Sequence, residues 1–158
     1  PGEDISFIEI VRPLLRLVEE GLQSADRPVQ FAVKGDGGRL PATVATPLSV
    51  VILELLQNAV DHGFPEGSAG GTVVVTLSHD EDALYVRVLN NGIGLSPTFD
   101  FTSATGLGLS IVRTLVTTEL AGTIAMRAGT TSDGDGAGIA GMKDGQGTVV
   151  DLRVPITS

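Results

Sequence analysis

The chain has no cysteine and no tryptophan, and only one tyrosine and five phenylalanines in 158 residues. Without thiols, disulfides and thiolate metal sites are excluded. Basic residues are also scarce: ten Lys and Arg stand against nineteen Asp and Glu, a net charge of −9. Such a balance argues against nucleic-acid binding, whose affinity comes from clustered cations facing phosphates. No uninterrupted apolar run reaches the roughly 18 residues a membrane span needs, and no signal peptide is visible at the start. What is present, 42% hydrophobic residues, is enough for one domain with a proper core.

The most informative stretch is Glu54-Leu55-Leu56-Gln57-Asn58-Ala59-Val60-Asp61-His62-Gly63. At about 100° per residue on a helix, Glu54, Asn58 and Asp61 fall in one narrow arc with His62 at its margin. Val51, Ile52, Leu55, Leu56, Ala59 and Val60 cover much of the rest, which predicts a largely buried helix. Polar groups there need partners, because a buried unpaired one costs roughly 1–3 kcal/mol. A metal ion with a polyphosphate would satisfy this set, and so would solvent along a polar stripe.

Two glycine pairs follow. Asn90-Asn91-Gly92-Ile93-Gly94-Leu95 comes after a strand-like run, and Gly106-Leu107-Gly108-Leu109 opens an apolar helical pattern. Glycines at 92 and 94 would let backbone approach a planar ligand. Glycines in a first helical turn leave free N–H groups at the positive end of the dipole, which suits phosphate. Each pair alone is explained equally well by a turn or a cap.

Residues 4–22 read as an amphipathic helix and 28–33 as a strand. Thr46-Pro47 predicts a helix start, with Thr46 as cap and Pro47 in the first position. Strands are predicted at 71–79 and 83–90 around a turn at 80–82, then a helix at 107–119 and strands at 122–128 and 147–154. Residues 129–146 are rich in Gly and Asp with little to bury, which predicts a flexible hairpin loop. The order of elements predicts one α/β (α+β) domain over 1–158. Its mixed, mainly antiparallel sheet would carry about three helices on one face.

In order and spacing, E-x-x-x-N-A-x-x-H, then N-x-G-x-G, then G-x-G-L opening a helix, then Gly147-Thr148-Val149-Val150, resembles the GHKL superfamily. That superfamily joins gyrase-type topoisomerases, Hsp-type chaperones, histidine kinases and MutL-type repair proteins. All four boxes are present, across nearly the whole chain. Asn58 to Pro65 and the short segment 95–105 look like the bacterial two-component sensor histidine kinases. The resemblance implies the Bergerat fold, a two-layer sandwich, with ATP and Mg2+ as ligands. A surface this acidic would repel free nucleotide, so magnesium is expected to matter for its capture.

The resemblance also implies roles. Asn58 would bind the magnesium that bridges the phosphates, through the hard amide oxygen that this ion prefers. Glu54, one turn earlier, stands where related ATPases place a general base, or orders the metal's waters. Glu54 and Asn58 are thus the catalytic candidates. Asp61 and His62 would join the nucleotide site, His62 through a ring N–H, unless it only answers the dipole at the helix end. Asn90, Gly92, Ile93, Gly94 and Leu95 are expected around the base, with Thr148 near the adenine. Residues 95–105 would form a lid, with Gly106, Leu107 and Gly108 at the phosphates and Thr105 and Leu109 flanking them.

Two departures stand out. The first glycine box of this family normally begins with aspartate, which accepts a hydrogen bond from the adenine amino group; here it begins with Asn90. An amide oxygen can accept the same bond but is neutral, and charge-assisted bonds are about twice as strong. Adenine binding is therefore expected to survive and to weaken by roughly 1–2 kcal/mol. Sensor kinases also carry a phosphoacceptor histidine on a dimerising hairpin ahead of this domain, and the helix at 4–22 holds none. It resembles the tail of that hairpin, and neither His62 nor His79 is taken for the acceptor. The expectation is a cytoplasmic catalytic half of a homodimeric kinase, passing phosphate to a histidine outside this chain and so to a response regulator. Alternatives are a serine kinase of the anti-sigma-factor type, or a nucleotide-binding docking module without phosphotransfer.

Overall fold

The computed structural model describes residues 4–23, 28–64, 70–94 and 107–156. Strand β1 (Asp4–Ser6) leads into α1 (Phe7–Gln23), β2 (Val29–Lys34), β3 (Arg39–Pro41) and the long α2 (Ala42–Gly63). The hairpin of β4 (Gly71–His79) and β5 (Ala83–Asn90) follows, then α3 (Leu107–Thr114), whose last turn continues as a π-helix over Leu115–Glu119. Strand β6 (Thr123–Ala128), helix α4 (Thr131–Ala137) and β7 (Thr148–Pro155) complete the chain of elements. Five strands form one sheet in the order β2-β4-β5-β7-β6, while β1 and β3 pair separately. Among the described strands, only β2 and β4 pair in parallel.

Strand alternation decides the faces, because successive side chains point to opposite sides. Val73, Val75, Leu77, Val86, Val88, Val150 and Leu152 face the main core. Against them pack Phe7, Val11 and Leu15 of α1, Leu48, Ile52 and Leu55 of α2, and Val112 of α3. The expected sandwich of a mainly antiparallel sheet under three helices is therefore what the chain forms. Helix α2 is the one described helix long and apolar enough to cross a membrane, yet it is the central core helix here. The β4–β5 turn is held locally. Asp80 accepts from the amides of Asp82 and Ala83, both at 2.8 Å, and these bonds hold its carboxyl below its ordinary range.

The π-turn has a cause in its threonines. Thr117 and Thr118 donate to the carbonyls of Arg113 and Thr114 at 2.8 and 2.5 Å, competing with the helical ladder. The backbone bond then reaches five residues back, from Leu120 N–H to the Leu115 carbonyl at 3.0 Å.

Boundaries differ from expectation at two helices. Residues 4–6 pair as β1 with β3, so α1 starts only at Phe7. Helix α2 begins at Ala42, with Pro41 as an N-cap that offers no side-chain bond, and Pro47 lies within it. The N–H that Pro47 lacks would have met the Thr43 carbonyl, and Thr43 is exposed to water.

The larger correction is at 129–146, which holds helix α4 where a hairpin loop was expected. Thr130 and Asp133 form a reciprocal capping box at its start. Asp133 is also gripped by Arg127 through two bonds, at 2.6 and 2.8 Å, and by Arg87 at 3.3 Å. Arg87 in turn holds Asp151 at 2.7 and 3.0 Å. Beyond α4, Ile139 and Met142 cover Val74, Leu89 and Val149 on the outer face of the sheet. The acidic residues that made the segment look like solvated loop are the ones that fasten it.

Candidate functional site

A cavity of about 220 Å³ opens where α2, the end of β5 and the start of α3 meet. Helix α2 contributes Leu55, Asn58, Ala59 and His62, spaced at one and two turns along one side. Val88, Met126 and Val150 form its apolar floor. They sit in one row across β5, β7 and β6, because Val150 pairs with both Val88 and Met126. Asn90 and Thr148, also paired, close one end, and Ile93, Gly94 and Leu109 complete the wall. The result is an apolar slot with a few convergent polar groups, the usual make-up of a small-molecule site.

The polar groups are held in specific orientations. Asn58 donates from Nδ2 to the Glu54 carbonyl at 2.9 Å, so its oxygen is the end left for a ligand. Asn90 is 3% exposed, the one polar or charged residue buried as a whole among the described residues. Its Oδ1 accepts from the Gly92 amide at 3.0 Å. Asn91 braces the same corner: its side-chain oxygen accepts from Thr72 N–H at 2.8 Å, and its carbonyl accepts from Gln146 at 2.7 Å. Ile93 N–H bonds the Gly63 carbonyl, tying the loop to the end of α2.

The first glycine pair makes room for backbone. A Cβ at Gly92 would collide with the Gly63 carbonyl, and one at Gly94 with the Gly145 carbonyl. Both glycines admit neighbouring backbone, and Gly94 also lines the cavity.

Of the sequence candidates, Asn58, His62, Asn90, Ile93, Gly94, Leu109 and Thr148 come together around the cavity. Glu54 is half-buried and Asp61 exposed, and neither lines it; Gly92 stands behind Asn90. Leu107 and Gly108 open α3, whereas Leu95, Thr105, Gly106 and the lid segment 95–105 lie outside the described residues. Sequence reasoning missed Leu55, Ala59, Val88, Met126 and Val150, which it had assigned to core or strand. A larger cavity of about 600 Å³ lies on the outer face, but Arg87, Asp133 and Asp151 there are already committed to each other.

Comparison with known proteins agrees with this geometry. The model of the family "Histidine kinase-, DNA gyrase B-, and HSP90-like ATPase" matches residues 43–158. The sensor histidine kinase PdtaS of Mycobacterium tuberculosis is 35% identical over 154 residues, covering 98% of this chain. The chain spans only 28% of that relative's length. The catalytic domain of the histidine kinase ThkA superposes with a TM-score of 0.69 at 23% identity, over 99% of this chain and 98% of that one. ThkA in complex with the response regulator protein TrrA gives a TM-score of 0.71 at 22% identity, over 98% of this chain and 42% of that one. At these identities the solved structures speak for the fold.

Proposed function

The chain belongs to the histidine kinase-, DNA gyrase B- and HSP90-like ATPase family, and from that premise we propose that it is the ATP-binding catalytic domain of a bacterial sensor histidine kinase. The observation that carries this reading is the meeting, in one cavity, of a buried polar end at Asn90 and an outward amide oxygen at Asn58. The first suits the edge of a base, the second the charged end of a nucleotide. Their separation along α2 and β5 is bridged by the apolar row of Val88, Met126 and Val150, on which a purine would lie.

Among the described residues no group of three or more His, Cys, Asp or Glu could hold a metal alone. That fits magnesium, which prefers few protein ligands and takes the rest from phosphate and water. Asn58 Oδ1 would hold it, and when bound it would neutralise charge on the phosphates. The amides that open α3 at Leu107 and Gly108 suit the phosphates themselves. His62, exposed at the cavity margin, offers a ring N–H in the same direction. Positioning and charge neutralisation are most of what phosphoryl transfer asks of a protein.

The γ-phosphoryl would pass in line to an imidazole nitrogen of a histidine outside this chain. A P–N bond forms as the bond to the β–γ bridging oxygen breaks, ADP leaves with the electron pair, and the ring proton is released. An aspartate on a response regulator would then take the phosphoryl group. A dimeric full-length protein with this domain in the cytoplasm, where ATP is, follows from the same reading.

Calorimetry with ADP tests it. Wild-type affinity is expected to rise with magnesium, and Asn58→Ala to lose about tenfold, chiefly in the magnesium-dependent part. Equal wild-type affinity with and without the metal would remove Asn58 as its ligand. No binding of ADP or ATP at millimolar concentration would remove the reading itself.

A further inference from the structure

At the buried end of the cavity Asn90 offers a hydrogen-bond donor that no described residue accepts. Asn90 Oδ1 is engaged by the Gly92 N–H at 3.0 Å, and it leans toward the end of α2. A Cβ placed on Gly63 would lie 2.8 Å from this oxygen and 3.4 Å from Nδ2. A backbone N–H can pair only with the oxygen of an amide, so the bond to Gly92 fixes which way the group is turned. The NH2 end is therefore the one left for the cavity. Among the described residues no acceptor pairs with it: Leu55, Ala59, Val88, Met126 and Val150 supply none, and the hydroxyl of Thr148, its ladder partner, makes no bond to it. A side chain buried to 3% exposure with an unpaired donor is costly unless a ligand answers it.

We propose that this cavity favours a purine nucleotide bearing a 6-oxo group over one bearing a 6-amino group, with Asn90 as the specificity-determining residue. The inference rests on the nucleotide-site reading above. With the triphosphate at Asn58 and the start of α3, the ribose lies between, and the edge of the base opposite the glycosidic bond reaches deepest. That edge carries the 6-substituent. A 6-oxo group accepts from Asn90 Nδ2 and completes its pairing. A 6-amino group sets donor against donor and leaves both short of a partner. This proposal departs from the expectation that the amide oxygen would receive an adenine amino group, because that oxygen is turned to Gly92 and the NH2 end is the part left without a partner.

Inosine triphosphate isolates the effect, since it replaces the 6-amino group of ATP by a 6-oxo group and adds nothing else to the purine than the ring N–H this requires. By calorimetry at saturating magnesium, ITP is expected to bind the wild-type chain about tenfold more tightly than ATP, the penalty of an unmatched buried polar contact. Asn90→Asp should reverse the order, because one carboxylate oxygen can keep Gly92 while the other accepts from the 6-amino group. ATP binding as tightly as ITP, or more so, to the wild-type chain overturns the specificity proposal while leaving the nucleotide site standing. If neither nucleotide binds, both readings fall. The wild-type pair of ligands decides the matter even if the variant does not fold. In a folded variant, an unchanged order would show that the base reaches some other group.

Discussion

One methyl group at position 63 would stand 2.8 Å from Asn90 Oδ1 and 3.0 Å from its Cγ. Asn90 has nowhere to go, because Gly92 holds its oxygen and the ladder to Thr148 holds its backbone. Gly63→Ala is therefore expected to cost roughly 1–3 kcal/mol by overpacking and to weaken nucleotide binding along with stability. Urea denaturation and calorimetry on one preparation measure both. A variant with wild-type midpoint and affinity would mean that the end of α2 shifts freely, and that Asn90 is not held as described. At this scale Asn58, His62 and Asn90 were legible in the sequence, because helical spacing and a post-strand glycine turn mark them without any knowledge of pairing. The orientation of Asn90 was not legible, since it depends on one backbone N–H two residues on. The floor was equally hidden: Val88, Met126 and Val150 meet only through strand register. Glu54 and Asp61 share the polar arc of α2, but the cavity opens on the side of Asn58 and His62, so a shared arc did not mean a shared site.

Helix α4 is short enough that its existence depends on its first turn and its ion pairs. Asp133, whose side chain is 7% exposed, is held well below the usual carboxylate range, first by hydrogen bonds from Arg127 and then by those from Thr130. A carboxyl depressed in the folded state adds stability that is fully present above its unfolded pKa near about 4. That stability is lost as pH falls through the folded value. Asp133→Asn should therefore cost about 2 kcal/mol near neutral pH, tempered by the partial exposure of both arginines. The gap to wild type should close progressively as pH falls below about 4. Denaturant titrations of both proteins at neutral and acid pH test the sign, and a gap that widened in acid would refute this account. Such elements explain which parts of the fold could be read in advance. The β4–β5 hairpin was predicted at its observed bounds because alternation and the Asp80 turn are local. Helix α4 was missed because its partners, Arg87 and Arg127, lie on separate strands. The start of α2 was misplaced because Thr46-Pro47 is a strong local signal that tertiary packing overrides.

Charge acts over the whole molecule. With a net charge of −9, the chain meets nucleotide, itself an anion, through a repulsive long-range field. Free ATP carries more negative charge than its magnesium complex, so repulsion should slow the free form more. Salt shortens the reach of that field, from about 30 Å at 0.01 M to about 10 Å at 0.1 M ionic strength. The association rate of metal-free ATP should therefore rise severalfold across that range, and that of Mg-ATP should rise less. This is opposite to the behaviour of a basic nucleotide-binding protein, whose association slows as salt is added. Stopped-flow measurements with a fluorescent nucleotide, at fixed temperature and varied salt, separate the two cases. A rate that fell with salt would show that a local positive field at the cavity mouth outweighs the net charge. A rate that rises as expected makes magnesium more than a ligand of Asn58: by neutralising the nucleotide before it arrives, it also governs how fast the site fills.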